Sequence, residues 1–155
     1  MNIKNTIADT VMEYICRLLL VGTLIYLIVR WNAIPDQIPT HYNAAGEIDG
    51  WGGKGMVWLP VVISWGLYLG LTFIGHYPEL WNTGVKITEK NKEKVYRLIK
   101  YLIGTSKLIL VSVFTLLTVF STLEKPFPVW FTGIYLAVLI GDMAFWLIRI
   151  FMERK

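Results

Sequence analysis

The sequence predicts an all-α integral membrane protein, a four-helix bundle with an ordered extracytoplasmic loop between its first and second helices. Three observations support that class. Of 155 residues, 55% are hydrophobic and only 17% are charged, with a mean hydropathy of +0.52, too apolar for a soluble domain of this length. Four apolar runs, residues 10–31, 55–75, 99–123 and 129–148, have the length needed to cross a hydrocarbon core of about 30 Å at about 1.5 Å per residue. Between the first two runs, residues 32–54 are polar and rich in turn formers. Residues 1–155 are read as one membrane domain.

The first run contains Arg17, and no small-x-small cleavage site follows it before Ile34-Pro35, so it is expected to remain as a helix. Cys16, the only cysteine, excludes an internal disulfide and reads as a small apolar residue. In the second run, Gly66-x-x-x-Gly70 has the spacing that lets helices approach closely, inside the bundle or across a homodimer. Thr88 is a natural N-cap, which predicts that the third helix begins near Glu89 as a charged extension. Glu89, Glu93 and Arg97 recur there at i,i+4 spacing and read as a solvated face. Trp31, Trp51, Trp58, Trp81, Trp130 and Trp146 fall near the predicted interfaces and read as membrane anchors.

Basic residues set the expected orientation. The connection between the second and third runs carries Lys86, Lys90, Lys92, Lys94, Arg97 and Lys100, and the tail carries Arg149, Arg154 and Lys155. By the positive-inside rule both belong in the cytoplasm, together with the N terminus, and the 32–54 loop belongs outside a bacterial cytoplasmic membrane. The net charge of +4 therefore reads as topology, with no nucleic-acid motif beside it. Arg17, Lys107 and Asp142 each lie roughly seven residues, or about 10 Å, from the cytoplasmic end of their runs. Charges at that depth are costly, so Asp142 is expected to pair with Lys107, Arg17 or both, or the two cations to snorkel to the headgroups.

The 32–54 loop holds most of the polar chemistry: Pro35, Pro39, His41, Asn43, Gly46, Glu47, Asp49 and Lys54. Prolines stiffen its entry, and Gly46 tolerates positive φ. Asp49 and Lys54 are candidates for an ion pair. His41 with Asp36, Glu47 and Asp49 matches no strong zinc signature, and His76 belongs to the other side of the membrane, so neither a metal nor a cofactor is assigned. The loop can bind a ligand through His41 and Asn43, or serve as a structural plug in which the same residues cap turns.

The pattern Leu/Ile-Pro-x-x-Ile-Pro-x-His-x-Asn-x-x-Gly-x-x-Asp-x-x-x-x-Lys, here Pro35, Ile38, Pro39, His41, Asn43, Gly46, Asp49 and Lys54, resembles the signature of a bacterial membrane family of unknown function. Its domain also opens the SdpI-like immunity proteins against the sporulation-delaying toxin. Tyr77-Pro78, Asn82, residues 85–89 and Tyr96-Arg97 extend the likeness to roughly residues 20–120. The resemblance implies protection of a cell from a membrane-active peptide toxin or another envelope ligand. The alternatives are a small intramembrane enzyme acting on lipid or cell-wall precursors, with His41 and a carboxylate as acid and base, and a structural or transport subunit. No nucleophile motif or phosphate-binding glycine loop accompanies His41, and no catalytic residue is assigned.

Overall fold

A computed structural model describes residues 3–154. Lys155, one of the basic tail residues, lies outside them. Helix α1 spans Ile7–Arg30, α2 Trp58–His76, α3 Lys92–Thr122 and α4 Trp130–Met152, all long and apolar enough to cross a membrane. The expected four-helix membrane bundle is therefore the architecture found. The segment between α1 and α2 folds further than an ordered loop. Strands β1 (Gln37–Tyr42) and β2 (Ile48–Gly53) pair as an antiparallel hairpin at one end of the bundle.

Helix α1 starts where Thr6 and Asp9 form a reciprocal capping box, with Thr6 N donating to Asp9 Oδ2 at 2.7 Å and Asp9 N donating to Thr6 Oγ1 at 3.2 Å. Its buried stripe, Cys16, Leu20, Thr23 and Leu27, follows the three-and-four spacing of one helix face, while Tyr14, Leu18, Ile25 and Ile28 are exposed. Such apolar exposure would be untenable in water and is the expected surface against lipid.

Helix α3, with 31 residues and about 46 Å of length, is the axis on which the other three helices pack. It begins three residues later than the cap signal predicts. Thr88 is not its N-cap, a position taken by Asn91; instead Thr88 and Asn91 close a turn just before the helix, with Thr88 N donating to Asn91 Oδ1 at 2.7 Å and Asn91 N to Thr88 Oγ1 at 3.3 Å, and the helix follows from Lys92. Asn91 is buried because its amide also donates to the carbonyls of Lys86 and Glu153, tying this connection to the end of α4. Of the stripe read as solvated, Glu89 and Glu93 are exposed, whereas Arg97 is half-buried and pairs with Asp9 at 3.0 Å.

Three apolar clusters stack along the bundle. Leu27, Ile34, Ile38, Val57 and Val61 lie under the hairpin; Cys16, Leu20, Tyr68 and Val111 fill the middle; Trp81, Val85, Val95, Leu98, Ile99 and Ile150 close the far end. Helix α4 is peripheral, with Ile150 its only buried residue. The glycine spacing in α2 does not serve internal packing, because a Cβ at Gly66 or Gly70 would meet open space. Close approach occurs at Gly104, where a Cβ would lie 2.9 Å from Met12 Cε. Two tryptophans are also not interface anchors: Trp81 is buried with its indole N–H on the Ile74 carbonyl, and Trp146 donates to Asp142.

Candidate functional site

The hairpin divides the motif residues into a buried and an exposed set. Ile38 and Pro39 face the bundle and are almost fully buried, and Ser121 Oγ on α3 donates to the Pro39 carbonyl at 2.5 Å. Proline has no N–H to offer a ladder, so this position at the bulged strand costs no pairing. The register shifts between Pro39 and His41 and again before Tyr42, and the two irregularities turn the strand past Gly50, where a Cβ would sit 2.9 Å from that of His41.

Asn43 builds the tip. Its side-chain oxygen accepts from Ala45 N at 2.9 Å and Glu47 N at 3.0 Å, its amide donates to Glu47 Oε2 at 2.8 Å, and its backbone exchanges bonds with Glu47 and Gly46. Gly46 adopts φ +82°, and a Cβ there would lie 2.6 Å from the Phe127 carbonyl oxygen. Phe127 N in turn donates to the Gly46 carbonyl at 2.8 Å. The Phe127 ring stacks on Phe120 and Phe131, at 4.3 and 4.2 Å between centroids, and meets Tyr42 edge-on at 4.8 Å. This clamp joins the hairpin tip to the α3–α4 connection. Burial pushes the Tyr42 phenol up to about 12.

The exposed set is His41 and Asp49. Their side chains, 71% and 43% exposed, meet at 2.5 Å between Nδ1 and Oδ1. Trp51, two residues after Asp49 on the same strand, is also exposed. The candidate pair of Asp49 with Lys54 is not formed. Lys54 follows the strand, at the start of a short 3-10 turn, and its Nζ instead sits 4.6 Å over the Trp31 ring, while its backbone N–H closes the hairpin base on the Asp36 carbonyl at 2.8 Å. Pro35 is half-buried at that base.

The intramembrane charges are arranged differently from the expectation as well. Asp142 accepts from Thr105 Oγ1 at 2.9 Å, Ser106 Oγ at 3.3 Å and Trp146 Nε1 at 2.9 Å, and pairs with neither Lys107 nor Arg17. Asp142 is on α4, and its partners Thr105 and Ser106 lie on the α3 face that meets α4, whereas Lys107 lies on the α3 face toward α1 and α2. The partner is Glu13, one turn before Arg17 and overlooked as a member of the cluster. Lys107 Nζ is 2.6 Å from Glu13 Oε2 and donates to Thr72 Oγ1 at 3.0 Å; Arg17 reaches Glu13 Oε1 at 3.2 Å and Tyr68 OH at 3.1 Å; Tyr68 OH also donates to Glu13. The signal available was an acid inside an apolar run with Arg at i+4.

Residues 18–64, from the middle of α1 through the hairpin into α2, match a family described as Domain of unknown function (DUF1648). No curated protein and no solved structure matches the chain. The likeness drawn from the sequence ran on to about residue 120, so the match is narrower. The hairpin and its motif residues lie wholly within the segment similar to that uncharacterised domain.

Proposed function

We propose that this multi-pass membrane protein is a recognition or immunity protein of the kind the SdpI-like resemblance implies. In this reading the hairpin lies on the extracytoplasmic side and meets a membrane-active peptide there. The observation that carries it is the division of the motif. Pro39, Asn43 and Gly46 are used up in building and docking the hairpin, whereas His41, Asp49 and Trp51 remain exposed and are not used in fold maintenance. An aromatic ring beside a polar pair on a rigid support suits a peptide ligand, because little ordering entropy is lost on binding.

The test is survival of toxin-sensitive bacteria expressing the chain and challenged with the sporulation-delaying toxin peptide. His41→Ala and Asp49→Ala are expected to abolish protection with unchanged protein in the membrane. Absence of protection by the wild-type chain, or its loss only in step with protein level, would reject the reading.

One observation favours a second reading. The Asp49 carboxylate on Nδ1 orients the His41 ring and leaves Nε2 as the nitrogen for a proton transfer, the arrangement a general base needs. Turnover of a lipid or cell-wall precursor by purified protein, lost in His41→Ala, would place enzyme above immunity.

A further inference from the structure

At the end of the bundle far from the hairpin, α1 and α2 diverge over a floor formed by α3 and leave a cleft of about 670 Å³. It is a separate feature from the hairpin site. We propose that this cleft is a binding site for a phosphate-bearing anion, supplied by the headgroup of an anionic phospholipid that enters sideways between α1 and α2.

Charge is the first argument. Four cations, Lys4, Arg17, Lys100 and Lys107, line the cleft against two carboxylates, Asp9 and Glu13. Asp9 is already engaged by Arg97, which is outside the lining. Glu13 is shared between Lys107 and Arg17, so one carboxylate serves two cations. Lys100 Nζ is held at 2.8 Å by the Ile3 carbonyl and at 2.7 Å by Asn5 Oδ1, both neutral oxygens. The cleft thus carries an excess of positive charge on ammonium and guanidinium groups, the donors that match phosphate oxygens.

Depth is the second. Glu13 stands six residues into α1, about 9 Å from its first turn, and Arg17 about 15 Å, while Lys4 precedes the helix. The cations therefore run from before the helix to about 15 Å along it. The wall also carries apolar groups, Tyr14, Leu71 and Ile103, of which Tyr14 is exposed at the mouth and would meet an acyl chain. A free inorganic anion would have no use for that apolar flank at bilayer depth. Lys107, with both Glu13 and Thr72 on its ammonium, acts as the fixed counter-ion that holds Glu13 back from the incoming phosphate. Arg17, 60% exposed, and Lys100 are the residues that reach it.

Native mass spectrometry of the detergent-solubilised full chain, titrated with phosphatidylglycerol or phosphatidylcholine, tests this. Wild type should retain one phosphatidylglycerol in preference to phosphatidylcholine. Arg17→Gln and Lys100→Gln should each lower retention roughly fivefold, Lys100→Arg should restore it, and Lys90→Gln, a cation outside the cleft, should leave it unchanged. Circular dichroism on each variant separates lost binding from lost fold, and Arg17→Gln decides if Lys100→Gln unfolds. Competition by inorganic phosphate at equal strength would identify the free anion, not the lipid, as the ligand and overturn the lipid assignment. Equal retention of the two lipids, or retention indifferent to both glutamine variants, would overturn the site itself.

Discussion

Glu13 shows at the scale of one residue what the membrane demands of charge. Lys107 is only 7% exposed, and its ammonium is tolerable there because Glu13 and Thr72 receive it. Glu13→Gln removes the only carboxylate within bonding distance among the described residues, and the expected cost is about 3 kcal/mol, read as a large fall in thermal unfolding temperature in detergent. Adding Lys107→Met should recover most of the loss, because no buried charge is then left over. Asp142→Asn should cost little by comparison: its partners are neutral, an asparagine oxygen can keep the bond from Trp146, and the amide NH2 in the other position can donate to the Thr105 or Ser106 hydroxyl, which also accepts. Equal losses for Glu13→Gln and Asp142→Asn would refute this assignment of partners. Arg17 and Lys107 were legible in the sequence as problematic charges, but their partner was not. Depth along a run says nothing about which face of α3 a residue occupies, and faces decided the pairing.

Elements are where the sequence was both most and least informative. Apolar length marked the existence of all four helices, because a bilayer leaves the backbone few other solutions, and missed only the polar start of α3, which begins at Lys92 and not at residue 99. The hairpin was hidden, since Ile34 to Lys54 reads as a string of turn formers with two prolines and four glycines and lacks the alternation of a strand pair. Its support comes from Phe127, more than seventy positions later, which no local pattern announces. Gly46→Ala should consequently undock the tip, by forcing φ +82° on a residue with a Cβ and by driving that Cβ into Phe127; increased protease cleavage near residue 46 with helicity retained would register it. The opposite effect is expected at the end of α3. Glu124 takes the left-handed position of a Schellman-type ending, φ 52°, with Lys125 N on the Phe120 carbonyl and Glu124 N on that of Ser121. Glu124→Gly should stabilise by about 1 kcal/mol, visible as a higher unfolding temperature.

Across the whole molecule, polar chemistry is sorted to two ends. The hairpin offers a neutral-to-acidic, aromatic surface built from His41, Asp49 and Trp51, and the far end gathers Lys4, Arg17, Lys100 and Lys107 around a cleft. The positive-inside rule and this asymmetry argue for the same orientation, with the hairpin outside and the cleft against the inner leaflet. Both the recognition reading and the pairing of the cleft with anionic lipid depend on that arrangement. It is tested most directly by impermeant maleimide on intact cells, with Cys16→Ala as background and single cysteines at Ala44 or Lys90, two positions exposed at opposite ends of the bundle. Labelling of Ala44→Cys without permeabilisation, and of Lys90→Cys only after it, is the predicted result. The reverse pattern would put His41 in the cytoplasm and contradict the account at its centre.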